Sequence, residues 1–261
     1  MDKVITHIDS RGIARVTLNN PGKHNAFDDQ MILQLTDAFN TIAANPSVRV
    51  MLLTSEGKSF SAGADLQWMK RMASYSYQQN LNDAQALAEM LSVLHKMPKP
   101  TIARVQGAAF GGAVGLISCC DIAVASSNAS FALSEVKIGL IPATISPYVI
   151  AAIGERHAKR YFMTAERFDP NTAQQINLVH EVVDELILDE KVEQLISTLL
   201  NNGPEAVAAA KQLVLAISGK TIDPPLIEHT CEVIAGIRVS TQGQEGLTAF
   251  LDKRKPNWLK D

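Results

Sequence analysis

The sequence lacks a strong excess of charge of either sign. Its 261 residues include 24 Lys and Arg and 27 Asp and Glu, which gives a formal net charge of −3. The basic residues are scattered along the chain and form no stripe of the kind that a phosphate backbone requires. Nucleic acid is therefore not an expected partner of this protein.

The sequence also lacks a long apolar run. The uncharged stretch at residues 105–120 is interrupted by Gln106 and Ser118, and it is shorter than the roughly 18 to 20 apolar residues that a membrane span needs. The N-terminal stretch MDKVITHIDSRGIARVTL carries charges where the apolar region of a signal peptide would have to lie. We therefore expect no membrane span, no export signal and a cytoplasmic location.

Cysteine is scarce, and its positions argue against a disulfide framework. The chain has three cysteines, of which Cys119 and Cys120 are neighbours and Cys231 lies far away. An odd number with this spacing favours reduced thiols. We expect Cys119 and Cys120 to be small buried apolar side chains on a helix.

Motifs for nucleotides and metals are absent as well. EGKS at residues 56–59 and GKT at residues 219–221 resemble the ends of phosphate loops, but Leu52 and Val214 stand where the first glycine belongs. The six histidines show no metal-binding spacing such as HExxH. The sequence therefore predicts neither a nucleotide loop nor a metal site.

What the sequence does contain is an alternation of strand and helix patterns. Residues 13–18 alternate like a strand, apolar residues then recur at helical spacing from the N-cap candidate Asp28 to Asn45, and residues 48–54 form a second strand-like run. The same order returns as a helix at 81–97 and strands at 101–107, 121–126 and 130–133. We expect an α/β fold with parallel crossover units.

The C-terminal part has a different character. Strand signals disappear after about residue 195, and helices are predicted from Gly203 onward, at 225–238 and at 242–252. This change predicts an α/β body at residues 1–195 followed by a helical region at residues 196–261.

Two segments of small residues are candidates for ligand contact. In SFSAGADLQWM (59–69) and VQGAAFGGAVGL (105–116), a strand pattern leads into small residues and a helix pattern follows. The first amides of a helix have no partner within it and favour negative charge. Two such segments facing each other would form an oxyanion hole for a thioester carbonyl that becomes an enolate. Close helix packing is the alternative explanation for the small residues.

These segments also carry a resemblance to a known family. FSAGADL, VQGAAFGGAVGLISCCDIAVAS and FALSEVKIGLIP, with NNPGKHNAF (19–27) and EGLTAFLDKRKPNW (245–258), resemble the crotonase (enoyl-CoA hydratase/isomerase) superfamily along essentially the whole chain. The resemblance implies a spiral of ββα turns holding the active site and coenzyme A, with a helical C-terminal trimerisation region. A homotrimer or a dimer of trimers is the implied assembly.

The resemblance assigns roles to individual residues. It implies that the amides of Ala64 and Gly112 form the oxyanion hole and that Glu135 handles the proton. The substrate is an acyl-CoA thioester, and no cofactor is expected because coenzyme A is part of that substrate. The residues implied along the coenzyme A path are Lys23, Ala26, Ala62, Asp65 and Leu66, with Lys253 reaching the phosphates from a neighbouring subunit.

Some of these assignments have alternatives that the sequence leaves open. Trp68 and Met69 are candidates to line the acyl pocket, but core packing explains them equally well. Lys253 and the two basic residues after it also fit a solvated C-terminal face.

One position departs from the family pattern. Hydratases of this family typically use two glutamates, of which one corresponds to Glu135 and the other to Gly115. A lone glutamate is what many isomerases of the family retain, because one carboxylate can move a proton between two carbons. An enoyl-CoA hydratase is the expected function, and a Δ3-Δ2-enoyl-CoA isomerase is the second candidate.

A closer similarity favours hydration. GGAxGLISCCD and SEVKIGLxPAxISPYVIxAIGER, with Ala143, Ile145 and Ser146, resemble bacterial 3-methylglutaconyl-CoA and γ-carboxygeranoyl-CoA hydratases of leucine and isoprenoid breakdown. We expect Gly115 to vacate volume and remove a charge beside the β-carbon of a branched, carboxylated substrate. Lys70 and Arg71 are the cations considered for that carboxylate, and the sequence assigns the role to neither.

A non-enzymatic reading also follows from the missing glutamate. The chain would then be a member of the superfamily that binds acyl-CoA or RNA without turnover. The retained Glu135 argues against the first alternative, and the slight negative charge argues against the second.

Overall fold

A computed structural model describes residues 2–259 and shows a mixed α/β fold. The strands are β1 Val4–Ile8, β2 Ile13–Leu18, β3 Val50–Ser55, β4 Thr101–Val105, β5 Ala108–Phe110, β6 Ile122–Ser126, β7 Ser130–Ala132 and β8 Glu181–Val183. The helices are α1 Asp29–Ala44, α2 Leu66–Met72, α3 Tyr77–His95, α4 Gly112–Cys119, α5 Ser146–Thr164, α6 Pro170–Gln175, α7 Leu188–Leu200, α8 Pro204–Ile217, α9 Pro224–Val239 and α10 Thr241–Leu251.

The strands form one large and one small sheet. The large sheet has the order β1-β2-β3-β4-β6-β8, and all its pairs are parallel except the β1–β2 pair. The small sheet is the parallel pair β5–β7. All six residues of β3 are buried, as expected for a central strand that is covered by helices on both faces.

Each face of the large sheet has its own core. The larger cluster includes buried residues of α1, α3, α4 and α5. On the other face, α7 packs Leu188, Val192 and Ile196 against the sheet. The predicted α/β class is therefore confirmed, with helices on both sides of a mostly parallel sheet.

Most predicted elements lie where the sequence places them. Helix α1 begins after Asp28, whose carboxylate accepts a hydrogen bond from the Met31 amide at 2.9 Å, and it ends before Asn45, as predicted. Strand β3 begins at Val50 instead of residue 48. The cause is a turn that closes when the Val48 amide donates to the Asn45 carbonyl at 3.2 Å.

Helix α3 begins four residues before its predicted start at residue 81. Ser76 and Gln79 form a capping box, in which the Ser76 hydroxyl accepts from the Gln79 amide and the Gln79 side chain accepts from the Ser76 amide. This box satisfies orphan amides of the first turn and fixes the helix start there. Apolar periodicity misses it because the first turn is exposed.

The C-terminal helices differ from the body. Helices α8 and α9 contain no buried residue within this chain, and the predicted boundary at residue 195 lies inside α7, which ends at Leu200. The division into residues 1–195 and 196–261 stays a prediction. Across residues 2–259, none of the helices has the length and apolarity that crossing a bilayer requires.

Candidate active site

A cavity of about 590 Å³ lies where five segments of the chain meet. Its walls come from Phe27, from α2 with the loop that leads into it, from one face of α3, from the start of α4 and from residues 134–145. Ala64, Gly112 and Glu135 all line it. The structure thus brings together the three residues that were predicted to perform the chemistry.

The Ala64 amide faces this cavity because of the way its neighbours pair with Phe27. The Phe27 amide donates to the Gly63 carbonyl at 2.7 Å, and the Asp65 amide donates to the Phe27 carbonyl at 2.7 Å. The amide between two such bonds points away from the partner segment. Within residues 2–259, the Ala64 amide makes no backbone hydrogen bond.

The predicted reason for the Ala64 donor was wrong, and its role in an oxyanion hole stays a prediction. Ala64 is not at a helix start, because α2 begins at Leu66 with Asp65 as its N-cap. No regular strand precedes it either, since Ser61 and Ala64 each make only an isolated bridge. The donor is therefore freed by bridge geometry and not by an open helix end.

The Gly112 amide is free for the reason that was predicted. Gly112 is the first residue of α4, where amides lack an acceptor within the helix, and in the described part of the chain it makes no backbone hydrogen bond. Gly111, just before it, has φ 55° and ψ −120°, a conformation that glycine adopts far more readily than other residues. A Cβ on Gly111 would lie 3.1 Å from Glu135 Oε1.

Phe27 connects the two amide donors. Its backbone holds the residues on either side of Ala64, and its ring lies against Gly112, where a Cβ would be 3.4 Å from Phe27 Cδ2. The Phe27 side chain is buried, so this spacing is fixed by core packing. Sequence reasoning missed this role because a single aromatic residue in a loop carries no pattern.

Two buried amide side chains support the loop that leads to Ala64. Asn25 Nδ2 donates to the carbonyls of Glu56 at 2.8 Å and Ser59 at 2.9 Å. Gln106 Nε2 donates to the carbonyls of Ser55 and Gly57, both at 3.0 Å. These bonds satisfy backbone groups that would otherwise be buried without partners. The sequence gives no signal for either residue, because periodicity does not reveal which polar side chains are buried.

Glu135 is the one titratable residue of the cavity with a buried, unpartnered oxygen among the described residues. It begins a 3₁₀ turn, Glu135–Ile138, shortly after β7, and its Oε2 atom is buried without a hydrogen-bond partner. Burial raises the pKa of the Glu135 carboxyl, and its own backbone amide partly opposes the rise. A carboxyl in this state retains its proton closer to neutral pH and is suited to general acid–base work.

Gly115 does not vacate volume beside the substrate, so that expectation was wrong. Gly115 is buried and does not line the cavity. A Cβ placed on it would lie 2.3 Å from Ile145 Cγ2, 2.8 Å from Ile145 Cβ and 3.6 Å from Leu91 Cδ2. Ile145 itself is buried and lines the cavity. The space that a side chain at position 115 would need is therefore filled by Ile145.

Lys23 and Asp65 form an ion pair that fixes the start of α2. Asp65 Oδ2 accepts from Lys23 Nζ at 2.8 Å, while Asp65 Oδ1 accepts from the amides of Gln67 at 2.8 Å and Trp68 at 3.1 Å. The hydrogen bond from Lys23 is the largest cause of a lowered Asp65 pKa. Neither side chain lines the cavity. Their contacts position α2 and, through it, Ala64.

The other predicted contact residues divide into two groups. Ala62, Leu66 and Trp68 line the cavity. Ala26 is buried next to Phe27 in sequence, and Lys253 is exposed after the end of α10, so neither lines the cavity of its own chain.

The cation of the cavity is not one of those considered from the sequence for a substrate carboxylate. Arg71 Nη2 binds Asp29 Oδ1 at 2.7 Å, and neither Arg71 nor Lys70 lines the cavity. Lys137 does line it, and within residues 2–259 it forms no ion pair. Asp83 also lines it, and its Oδ1 accepts from Trp68 Nε1 at 3.1 Å.

Two of the three cysteines, Cys119 and Cys120, are buried as predicted. Cys119 and Cys120 are buried thiols, and burial raises the pKa of both, whereas Cys231 is exposed. Across residues 2–259, no group of three His, Cys, Asp or Glu side chains is arranged to hold a metal ion.

Comparisons with known proteins show which family the chain resembles in sequence and in fold. An enoyl-CoA hydratase from Shewanella pealeana has a structure that matches with a TM-score of 0.95 at 48% identity, covering 98% of this chain and 96% of that one. The crotonyl-CoA hydratase of Syntrophomonas wolfei is 32% identical over 95% of this chain and 94% of its own.

A second curated relative and the family model point to the same family. The 2,3-dehydroadipyl-CoA hydratase of Escherichia coli K12 is 30% identical over 93% of both chains. The family model for enoyl-CoA hydratase/isomerase matches residues 9–261. The protein belongs to the enoyl-CoA hydratase/isomerase family.

Proposed function

We propose that the protein is an enoyl-CoA hydratase, which adds water across the 2,3 double bond of an acyl-CoA thioester. One observation carries the proposal: two backbone donors and a buried carboxyl oxygen, all without partners within residues 2–259, line a single cavity. The amides of Ala64 and Gly112 would hold the thioester oxygen as it gains negative charge. Glu135 would supply a proton to the α-carbon while water attacks the β-carbon.

The reaction needs no group beyond the chain and its substrate. Coenzyme A is part of the substrate, and Lys23, Ala26, Ala62, Asp65 and Leu66 are the proposed residues along its path. Lys23 and Asp65 would act there through the position of α2, since their side chains bind each other. Lys253 would reach the phosphates from a neighbouring subunit.

We propose a branched or carboxylated acyl group, such as 3-methylglutaconyl-CoA. A relative is named for 2,3-dehydroadipyl-CoA, whose acyl chain ends in a carboxylate. Lys137 supports the proposal, because it is the cationic residue among the described lining residues of the cavity and has no ion-pair partner there. A place in leucine or fatty acid breakdown and a cytoplasmic location stay predictions.

A Δ3-Δ2-enoyl-CoA isomerase is the second candidate. The observation that favours it is the single glutamate beside the amide donors, because one carboxylate can act in turn as base and acid.

A substrate panel distinguishes these functions. One preparation is assayed with 3-methylglutaconyl-CoA, crotonyl-CoA and a 3-enoyl-CoA, and both hydration and double-bond migration are followed. Hydration of a 2-enoyl-CoA supports the proposal. Fast migration with negligible hydration would make the protein an isomerase, and binding without turnover of all three would make it a non-catalytic acyl-CoA-binding protein.

The C-terminal helices support a proposal about assembly. Helices α8 and α9 bury no residue within the chain, and large apolar side chains are exposed on α8 to α10. These include Val214, Ile227, Ile234, Val239, Leu247, Phe250 and Leu251. We propose that they form the contacts of a homotrimer or of a dimer of trimers. Light scattering should give about three or six times the chain mass of 28.3 kDa, and a monomer would contradict the proposal.

A further inference from the structure

The cavity wall at Ile145, which packs against the buried Gly115, raises the question of what activates the attacking water. Ile145 fills the space beside Gly115 so closely that even a Cβ would collide with it, at 2.3 Å from its Cγ2 atom. A carboxylate cannot enter from this side of α4 without displacing Ile145. The wall that faces the cavity there is an apolar side chain.

Few other groups in the cavity can accept a proton from water. Among the described lining residues, the carboxylates are Glu135 and Asp83, and Ser134 and Thr144 add hydroxyls. A hydroxyl orients a water molecule but takes up no proton near neutral pH. Glu135 is already assigned to the α-carbon, so Asp83 is the remaining candidate on the protein.

The position of Asp83 on α3 argues against that role. Asp83, Leu87 and Leu91 follow one another at intervals of four and therefore share one face of the helix. Leu91 lies beside Gly115, at 3.6 Å from its hypothetical Cβ. Asp83 is two helical turns away from Leu91 along α3, which corresponds to about 12 Å of rise. Asp83 instead binds the Trp68 indole at the opposite, α2 side of the cavity.

We propose that the substrate's own carboxylate activates the water, an inference that rests on the proposed function and names its substrate class. In 3-methylglutaconyl-CoA, a single methylene group joins this carboxylate to the β-carbon, so it can reach a water molecule that attacks there. The Glu135 proton moves to the α-carbon, and the water oxygen forms a bond to the β-carbon. The substrate carboxylate takes the proton that this water loses and returns it through solvent to Glu135.

The charges of the cavity suit a substrate carboxylate held near the reacting carbons. Lys137 lies two residues after Glu135 in the same 3₁₀ turn and lines the cavity. It can pair with one carboxylate oxygen and leave the other for water. At the α2 side, Asp83 presents a carboxyl and Asn80 Nδ2 is already bound to the carbonyls of Tyr75 and Ser76, both at 3.2 Å. An anionic acyl end gains no free donor from these two residues.

The first test compares two substrates on the unchanged protein. 3-Methylcrotonyl-CoA has a methyl group where 3-methylglutaconyl-CoA has its carboxymethyl group. We expect kcat for hydration to be lower by at least about 100-fold with the neutral analogue, the size expected for losing a general base. Added formate fits the missing carboxylate and should raise the rate with the analogue in a saturable way, whereas chloride at equal ionic strength should not.

Two results would overturn this mechanism and leave the proposed function intact. One is an equal kcat for both substrates with a difference in KM alone, which would make the carboxylate a binding group only. The other is a loss of hydration in Asp83→Asn together with equal rates for the two substrates, which would assign the water to Asp83. Hydration of neither substrate would end this inference, and it would end the proposed function as well only if crotonyl-CoA were not hydrated either.

A pair of variants tests the wall directly. In Gly115→Glu/Ile145→Gly, a carboxylate enters the space that Ile145 leaves. We expect this double variant to hydrate 3-methylcrotonyl-CoA at least about tenfold faster than the unchanged protein does, since it regains a general base. Ile145→Gly alone is the control and should give no such gain. An equal gain in the control would overturn the inference, and thermal unfolding of both variants shows whether they are folded.

Discussion

The cavity has two walls, and they differ in whether their polar groups have hydrogen-bond partners within the protein. On one wall, the amides of Ala64 and Gly112 and the Oε2 atom of Glu135 have no hydrogen-bond partner within residues 2–259. On the other, formed by α2 and α3, the Trp68 indole and the Asp83 carboxylate bind each other. An unpaired polar atom is costly where it is buried, as Glu135 Oε2 is, and the three unpaired groups occur together where a thioester would react.

The groups without partners on the first wall are available to bind a substrate, whereas the paired groups on the second wall stabilise the folded chain. An amide or carboxyl that is already hydrogen-bonded gains less from a ligand, because the existing bond must be given up. The first wall is therefore expected to govern turnover, and the second to govern stability and the shape of the acyl pocket. The two carboxylates, Glu135 and Asp83, allow this difference to be measured.

The largest expected effect is that of Glu135→Gln. This near-isosteric change removes the titrating group, so turnover of the best substrate should fall by about 1000-fold, with little change in acyl-CoA affinity. Asp83→Asn is the matched change on the other wall and should lower kcat by less than about tenfold, or about 1.4 kcal/mol of barrier. Stopped assays and equilibrium binding measure both quantities. Undiminished turnover in Glu135→Gln would remove Glu135 from the mechanism.

Local patterns in the sequence were sufficient for most of the fold and for part of this wall. The helix after Asp28, the strand at Ile13–Leu18 and the free amide of Gly112 all follow from interactions between residues close in the chain. The Ala64 amide does not, because bonds to Phe27 across the fold expose it. Its position was predicted only through the family resemblance.

Gly115 shows the limit of reading a small residue from sequence alone. A glycine in place of a glutamate suggests free space, but thirty residues later Ile145 supplies the side chain that fills it. Which side chain occupies a gap depends on contacts between distant segments, here α4 and the start of α5. The same limit explains why Lys70 and Arg71 were considered and Lys137 was not, although the Arg71 guanidinium is bound by Asp29.

The dependence of stability on pH tests whether the Glu135 carboxyl on the first wall is buried without a partner. Burial raises the Glu135 pKa above its ordinary value of 4.5, so between that value and the raised pKa the folded protein binds more protons than the unfolded chain. Stability therefore falls as the pH rises through this window, and the penalty remains above it. Glu135→Gln should unfold at a higher temperature than the unchanged protein at pH 8 but not at pH 4. An equal shift of the unfolding temperature at pH 8 and at pH 4 would show that burial does not raise the Glu135 pKa.

Gly115→Ala tests the packing behind the first wall. The new Cβ would collide with Ile145, and overpacking of this kind costs about 1 to 3 kcal/mol. Gly236→Ala in α9 is the control, because within its own chain the new Cβ would meet nothing within 4 Å. That change should stabilise the helix by about 0.5 to 1 kcal/mol. Urea unfolding measures both, and a stabilised Gly115→Ala protein would mean that Ile145 moves aside easily.

The smallest effect is expected at the second wall, from Trp68→Phe. The change removes the indole N–H that Asp83 Oδ1 accepts at 3.1 Å, and losing one hydrogen bond of this kind lowers the free energy of unfolding by about 1 kcal/mol. Trp258→Phe is the control, because its indole donates to the exposed carbonyl of Asn201 at 3.2 Å and water can replace that bond. Turnover should change little in either protein. If Trp68→Phe instead lowered kcat as far as Glu135→Gln does, the paired wall would take part in the chemistry, and the distinction between free and satisfied groups would no longer separate catalysis from stability.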